Sequence, residues 1–253
     1  MNPFDFPPVA AALDGLYHLV LQLGVLFSPW AGASASAAAI VALTLAVRLV
    51  LLPVAVSQVR AEVARRRLAP QVAAIRKRYA KDAPTATRKL QELYTAEHVS
   101  PLAGILPTLL QVPVLSGVYA LFAHATIAGH ANLLLTQTLA GAVLGANLFA
   151  SLTPVVVAVA VPLVVLAALA VVVEITRRAN LRWAGSAAST EAAAVPGMGA
   201  VLRILPFVTV VFAAFAPLAA ALYLFTSAAW TVVERELLRR HLTPASARGA
   251  VAA

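Results

Sequence analysis

The chain contains no cysteine among its 253 residues, which excludes disulfide bonds, thiolate metal sites and a lipid-modified N-terminal cysteine. Charged residues are also scarce: they make up 11% of the chain, whereas soluble domains carry about 25%. The hydrophobic share is 61% and the mean hydropathy is +0.87. The apolar runs are long and continuous, unlike the short alternating strands of a membrane barrel. The composition therefore predicts a helical integral membrane protein.

The sequence also lacks the patterns of common enzymes. It has no Gly-rich phosphate loop and no nucleophile elbow. Its histidines are scattered, and the sequence shows no helical pairing of a histidine with a carboxylate suited to a metal, so we expect no metal site and no cofactor. The histidines are His18, His98, His124, His130 and His241. The basic segment of the chain lacks interleaved aromatic residues, which argues against direct nucleic-acid recognition. We expect a protein that is not an enzyme.

Five apolar segments are predicted to cross the membrane. They are residues 35–56, 101–123, 154–173, 204–215 and 217–237. The last two could form one helix, but Arg203 and Arg235 flank that run on both sides, and basic flanks are expected in the cytoplasm. A break near Ala216 and Pro217 keeps both flanks inside, because proline disfavours helix in the residue before it. The fourth span is then about 18 Å long, so we expect a thinned bilayer there or shelter from other helices.

The distribution of Lys and Arg predicts the orientation of the chain. Residues 1–34 and 124–153 contain neither Lys nor Arg. Residues 57–100 contain several of both, and residues 174–203 contain several arginines. By the positive-inside rule the N-terminus lies outside, and the two basic loops and the C-terminus lie in the cytoplasm. We therefore expect a multi-pass protein of a bacterial plasma membrane.

The N-terminal segment is predicted to form an amphipathic helix on the outer surface. Asp14, His18 and Gln22 fall at i, i+4 and i+8, on one face of the apolar stretch 9–27. An additional span here would invert the orientation of all that follow. The first ten residues have no basic region, so we expect no cleaved signal peptide.

Residues 57–98 are predicted to form a cytoplasmic hairpin of two helices, with a turn at Lys81 to Pro84. A solvated hairpin that merely obeys topology and a docking surface for anionic lipid, a partner or a nascent chain both remain open. The predicted protein is thus all-α, with an outer-surface helix at 1–34, a five-span core at 35–240 and a short cytoplasmic tail at 241–253.

Arg48 lies inside the apolar run from Ala35 to Val56. A guanidinium near the centre of a membrane span costs about 2.5–3.5 kcal/mol on insertion scales. Arg48 lies about 12 Å from the inner end of its span, which is far for a side chain to reach the headgroups unaided. We therefore favour a polar cavity around Arg48 over snorkelling alone.

Polar and aromatic residues on three predicted spans indicate such a cavity, because they recur at helical spacing on one face of each span. The candidate groove residues are Thr44, Arg48, Thr108, Gln111, Tyr119, Tyr223, Thr226, Ser227 and Trp230. For any single Ser or Thr, ordinary interhelical hydrogen bonding, about 0.6 kcal/mol per contact, is the simpler explanation. We find no carboxylate at the depth of Arg48, and Glu174 is expected at the membrane interface. Arg48 is then free to receive an incoming charge.

Five segments of the chain share a pattern with one known family. They are AVRLVLLPVAVSQVR at 46–60, APQVAAIRKRYAKD at 69–82, SPLAGILPTLLQVPVLSGVYALF at 100–122, GANLFA at 145–150 and LPFVTVVFAAFAPLAAALYLFTSAAW at 205–230. In this order they resemble the YidC/Oxa1/Alb3 membrane protein insertases, in their five-span Gram-positive or actinobacterial form, over about residues 35–240. Two departures are Ser100, where the family has asparagine, and Leu224, where tryptophan often follows the tyrosine.

The resemblance implies a five-helix bundle whose hydrophilic groove opens to the cytosol and to lipid and is closed on the outer side. Members of the family bind a hydrophobic segment of a nascent membrane protein there and release it into the bilayer, alone or with the Sec translocon. Arg48 takes the place of the groove arginine and Gln111 that of the second-helix glutamine. Pro113, Tyr119 and Tyr223 fall on motif positions.

The basic segments and Arg48 also suggest other partners and two alternative functions. Anionic lipids are expected at the basic hairpin, whereas ribosome contact through the short tail after Leu238 would be weak. An anion or solute transporter that uses Arg48 is one alternative, although transporters more often show broken helices in corresponding halves. A structural subunit of a membrane complex is another.

Overall fold

The computed structural model describes four stretches of the chain. They are residues 6–100, 105–151, 156–193 and 204–243. Within these stretches, only the backbone is described at residues 105–108, 110, 156–158 and 184–193. The described helices are α1 (Pro7–Ala31), α2 (Ala35–Val50), α3 (Leu52–Arg78), α4 (Ala83–Ala96), α5 (Ile105–Ala123), α6 (Val156–Ala193), α7 (Val208–Phe215) and α8 (Leu218–Leu242). The described strands are β1 (Thr126–Ile127), β2 (His130–Ala131), β3 (Thr138–Leu139) and β4 (Ala142–Val143).

Helix α8 is the centre of the bundle and packs against α2, α3, α5, α6 and α7. The predicted all-α fold is confirmed in the described residues, apart from the two small hairpins. Many large apolar side chains point outward, among them Val164 on α6, Phe212 on α7 and Trp30 on α1. Two described helical stretches are long and apolar enough to cross a membrane, Pro7–Val50 and Val159–Trp183. These features agree with a membrane protein, while the number of spans and their orientation stay predictions.

Helix α1 contains the predicted N-terminal helix 9–27 and extends it at both ends. It buries Leu13, Tyr17 and Val20 and packs against α2 and α5. These three residues follow each other at spacings of four and three, as expected for one face of a helix. The helix is therefore anchored to the bundle by an apolar face.

The predicted span at 35–56 contains a helix break at Leu51, between α2 and α3, which the sequence did not predict. Pro53 is the local cause: it has no N–H to donate, and its ring crowds the carbonyl of Leu49. After the break, α3 continues without interruption to Arg78. The inner end of the first span and the first arm of the predicted hairpin thus form one helix instead of separating at residue 57.

Helix α4 forms the second arm of the predicted hairpin. Asp82 is its N-cap and accepts a hydrogen bond from the backbone N–H of Thr85 at 3.1 Å. Arg67 and Glu97 form an ion pair of 2.5 Å between α3 and α4. The arms are therefore joined by a charged contact as well as by the turn.

Helix α6 runs to Ala193, about twenty residues beyond the predicted inner end of the third span at 173. The predicted span ended where charged residues begin. Those charges instead stabilise the continuing helix, since Glu174 pairs with Arg177 at 2.7 Å and with Arg178 at 2.6 Å, at spacings of three and four.

The predicted break near Ala216 and Pro217 is confirmed, since Ala216 adopts an extended conformation between α7 and α8. Helix α7 is only eight residues long, or about 12 Å, shorter than the predicted span 204–215. A short 3-10 turn at Leu205–Phe207 takes up the difference.

The loop between α5 and α6 shelters this break. The first free N–H groups of α8, those of Leu218 and Ala219, donate at 2.9 Å to the carbonyls of Ala146 and Leu144. The first N–H groups of a helix have no acceptor within the helix, so the loop supplies the carbonyl acceptors that they need. The short helix α7 is therefore sheltered both by α6, which packs against it, and by this loop.

The same loop folds into two antiparallel hairpins, β1–β2 and β3–β4, which were not predicted from the sequence. Both turns are Ala-Gly pairs with positive φ at both residues, the pattern of a tight two-residue hairpin. Between the hairpins, the buried Asn132 side chain donates to the carbonyls of Leu121 and His124, at 2.8 and 3.0 Å. The loop is thereby fastened to the end of α5.

Candidate functional site

Arg48 lies in the last turn of α2 with only 9% of its surface exposed. Its Nε donates to the hydroxyl oxygen of Ser227 on α8 at 3.1 Å, and its Nη2 donates to the same oxygen. The guanidinium is therefore held against the central helix. This geometry is that of an arginine inside the bundle and not of one stretched along the surface toward the headgroups.

A cavity of about 250 Å³ opens beside Arg48, between α2, α3, α5 and α8. Its lining residues are Arg48, Ala55, Gln58, Val59, Gln111, Val112, Leu115, Thr231, Glu234 and Arg235. One buried water needs only about 10–15 Å³ of such space, so this cavity has room for several waters or a polar side chain. We call it the Arg48 cavity.

Gln111 on α5 lines the cavity together with Gln58 on α3, as a side-chain pair. The amide nitrogen of Gln58 donates to the amide oxygen of Gln111 at 3.0 Å. Gln111 was predicted at the site, and Gln58 was not. A primary amide offers two donors and an acceptor, so each member of the pair keeps capacity to bind water or a polar guest.

Glu234 on α8 corrects the expectation that no carboxylate lies at the depth of Arg48. It is only 8% exposed, lines the same cavity and acts electrostatically on Arg48, although the two make no ion pair within 4.0 Å. Glu234 stands two turns after Ser227, so helical spacing alone places both on one face. The indole N–H of Trp230 lies near this carboxylate but makes no hydrogen bond of standard geometry.

Two predicted threonines lie beside the cavity and not on its lining. Thr44 is buried and donates to the carbonyl of Ile40, at 2.7 Å. Thr226 is also buried and donates to the carbonyl of Leu222, at 2.8 Å. Both hydroxyls are satisfied within their own helices, which leaves them little capacity to bind a guest. The side chain of Thr108 lies outside the described residues.

Two predicted tyrosines close the end of the site nearer the loop between α5 and α6. Tyr223 is buried, and its hydroxyl donates to the carbonyl of Leu115 at 3.0 Å. Its ring centroid lies 6.4 Å from that of Tyr119 and 5.9 Å from that of Phe122. These rings form an aromatic layer between the Arg48 cavity and the hairpin loop between α5 and α6.

Thr231 and Arg235 also line the cavity and were missed. Thr231 follows Ser227 by four residues and donates to its carbonyl at 2.9 Å. The signal was present in the sequence, because Ser227, Thr231 and Glu234 continue the polar face of α8 toward its basic end. The predicted set stopped at Trp230.

A second, larger cavity of about 590 Å³ lies between the ends of α6 and α8 and includes neither Arg48 nor Gln111. Arg239 on its wall is buried and donates to Glu62 at 2.5 Å and to Asn180 at 3.0 Å. Its guanidinium also lies 4.9 Å from the ring centroid of Trp183. These contacts tie α3, α6 and α8 together, and we interpret this cluster as structural.

A family model described as "60Kd inner membrane protein" matches residues 26–245. A "Membrane protein insertase YidC" from Neisseria meningitidis serogroup B is 35% identical over 124 residues, which cover 49% of this chain and 22% of that protein. Proteins of the same name from Clostridium perfringens and Granulibacter bethesdensis are 36% identical over 84 residues and 35% identical over 112 residues. Those matches cover 33% and 44% of this chain. They cover 35% and 17% of the two relatives, so the chain matches well under half of each protein.

Proposed function

This chain belongs to the 60Kd inner membrane protein family, that of YidC, Oxa1 and Alb3, and from this premise we propose that it is a membrane protein insertase. It receives hydrophobic segments of newly made membrane proteins at the Arg48 cavity and releases them into the bilayer. The observation that carries the proposal is a buried arginine held against the central helix, beside a cavity lined by two glutamines and a carboxylate.

The cavity stabilises the polar part of a client. At 4 Å and an effective dielectric constant of about 20, two unit charges interact by about 4 kcal/mol. An acidic residue of a client would gain that attraction from Arg48, while Glu234 would oppose it in part. The cavity therefore attracts an acidic group without holding it so tightly that release is blocked.

The hydrophobic part of a client takes a different surface. A cavity of about 250 Å³ cannot hold a transmembrane helix. However, the apolar side chains of Leu109 and Val112, about one turn apart on α5, are exposed next to Gln111. We assign this face of α5 to the apolar segment, which stays in contact with lipid while its polar end enters the cavity. Insertion then requires no chemical catalysis.

The proposed arrangement in the membrane has five spans. The spans are α2 with the start of α3, then α5, α6, α7 and α8, with the N-terminus outside and the C-terminus in the cytoplasm. Support comes from the basic residues of 57–100 and 174–203 and from the apolar surfaces of α6 and α7. The hairpin loop after α5 would then close the outer side.

The basic arms α3 and α4 are the proposed contact with the cytoplasmic surface of the membrane. Basic residues near anionic lipid contribute about 1 kcal/mol each. A nascent chain leaving the ribosome, or the Sec translocon, could approach the cavity along the same surface. The chain would act on nascent membrane proteins alone or beside the translocon.

Replacement of Arg48 tests the function in cells depleted of their own insertase. The readout is protease protection of a single-span reporter with an acidic translocated tail. We expect Arg48→Ala to fail and Arg48→Lys to restore insertion in part, because lysine supplies the charge but not the two-pronged contact with Ser227. Arg240→Ala is the matched control, since Arg240 is exposed and pairs with Glu236 on its own helix.

The outcome that contradicts the proposal is normal insertion of the reporter by Arg48→Ala at equal protein level. An anion transporter would instead give Arg48-dependent chloride flux into liposomes with insertion unchanged. A structural subunit would lose assembly of its complex in the Arg48→Ala variant, again with insertion unchanged.

A further inference from the structure

Three side chains with metal-binding atoms converge on the side of the hairpin loop, away from the Arg48 cavity. They are Asp14 and His18 on α1 and His130 on β2, and their ligand atoms all lie within 4.8 Å of one another. Nε2 of His130 lies 2.7 Å from Oδ1 of Asp14, and Nε2 of His18 lies 3.7 Å from the same oxygen. The expectation that no histidine pairs with a carboxylate suited to a metal is therefore wrong: His130, 116 residues away in sequence, joins the helical pair.

We propose that these three side chains form a zinc-binding site. Zinc binds histidine nitrogen and carboxylate oxygen at about 2.0–2.2 Å in a tetrahedron, which sets neighbouring ligand atoms about 3.3 Å apart. The two distances to Asp14, 2.7 and 3.7 Å, lie on either side of that value. Shifts of under an ångström at these two pairs, and of up to about 1.5 Å between the two histidine nitrogens, would bring the ligands into place. Water would take the fourth position.

The ligand set selects the class of metal. Two imidazoles with one carboxylate suit zinc and neighbouring transition metals, whereas magnesium and calcium prefer oxygen ligands throughout. The site is also reachable, because the side chains of Asp14, His18 and His130 are 35%, 62% and 42% exposed. A zinc ion could therefore enter from solvent without any opening of the bundle.

The buried ring of Tyr17 packs against both histidines. Tyr17 lies beside both, with ring centroids 5.6 Å from His18 and 5.0 Å from His130. Its hydroxyl accepts a hydrogen bond from the N–H of Leu133 at 3.0 Å and lies 3.4 Å from the carbonyl of Ala131, to which it donates. Ligands held by packed neighbours lose less freedom on binding, which favours metal affinity.

Zinc at this position would join two parts of the fold that are far apart in sequence. Asp14 and His18 belong to α1, whereas His130 belongs to the loop that also caps α8 through the carbonyls of Leu144 and Ala146. A metal bridge would fasten α1 to this loop and so stabilise the end of the bundle opposite the basic arms. This role is independent of the proposed insertase activity.

Zinc titration of the purified full chain, freed of metal with a chelator, tests the proposal. We expect one zinc ion per chain, together with a saturable rise in melting temperature. His18→Ala and His130→Ala should each weaken zinc binding by at least about tenfold, since even indirect supports of a metal site contribute that much. His241→Ala is the matched control, because His241 is exposed at the far end of α8. Magnesium should give no shift.

X-ray absorption at the zinc edge gives a readout that does not depend on stability. We expect two imidazole nitrogens in the first coordination shell of the wild-type protein and one in either histidine variant. Zinc binding of equal affinity in wild type and in the double variant His18→Ala/His130→Ala would overturn the proposal, as would the absence of saturable zinc binding by the wild type.

Discussion

The contact between Arg48 and Ser227 can be tested by replacing Ser227 with alanine. Two guanidinium nitrogens donate to one hydroxyl oxygen, so the substitution removes a single acceptor shared by both. Hydrogen bonds to charged groups contribute about 1.5–3 kcal/mol. Water in the adjoining cavity can replace part of the lost contact, so we expect a loss near 1.5 kcal/mol in the free energy of unfolding.

The assay is equilibrium unfolding in detergent micelles, arranged as a double-mutant cycle with Arg48→Ala. We expect a coupling of about 1 kcal/mol or more between the two positions. Thr226→Val is the matched control, because it removes a buried hydroxyl that donates only to its own helix, and its coupling to Arg48 should be close to zero. If the changes in the free energy of unfolding caused by Ser227→Ala and Arg48→Ala add to within about 0.5 kcal/mol, the two residues do not stabilise each other and the prediction is refuted.

Two further predictions concern the hairpin loop and the basic arms. Gly145→Ala should lower the free energy of unfolding by about 1–3 kcal/mol, because a Cβ there would lie 2.7 Å from the carbonyl oxygen of Leu135. Gly15→Ala, on an open helical surface, should instead raise the free energy of unfolding by about 0.5–1 kcal/mol. Equal effects of the two substitutions in thermal unfolding would contradict the close packing of Gly145 against Leu135. Hydrogen bonds from Thr85 lower the pKa of the Asp82 carboxyl, so its contribution to the cap of α4 is present above the ordinary value of 3.8 and is lost as pH falls through the lowered one. At pH values below the lowered pKa of Asp82, hydrogen exchange of the Thr85 amide should therefore quicken relative to amides in the middle of α4. An unchanged ratio of these two exchange rates would show that the cap does not depend on the charge of Asp82.

Prolines show how far the sequence could predict the fold. The break at Pro217 was predicted because basic flanks on both sides required two helices there. The break before Pro53 was missed, although its local cause is the same. Pro113 and Pro162 lie inside α5 and α6 without ending them. Whether a proline ends a helix depends on whether neighbouring groups satisfy the backbone it frees, and those neighbours are known only from the fold.

The candidate site shows a similar division between local and long-range information. Helical spacing was enough to place Ser227 and Trp230 on one face of α8, and Glu234 continues that face four residues later. The pairing of Gln58 with Gln111 depends on how α3 packs against α5, which spacing within one helix cannot specify. The approach of His130 to α1 depends in the same way on a loop far along the chain.

The most direct test of the Arg48 cavity as the client site is crosslinking from inside it. A photoreactive residue at Gln111 should crosslink to a stalled nascent chain that carries a hydrophobic segment and an acidic tail. The same residue at Gln137, a glutamine exposed on the hairpin loop, is the matched control. The account predicts a strong crosslink from Gln111 that Arg48→Ala weakens, with little from Gln137. Equal crosslinking from both positions, or none from Gln111, would contradict it.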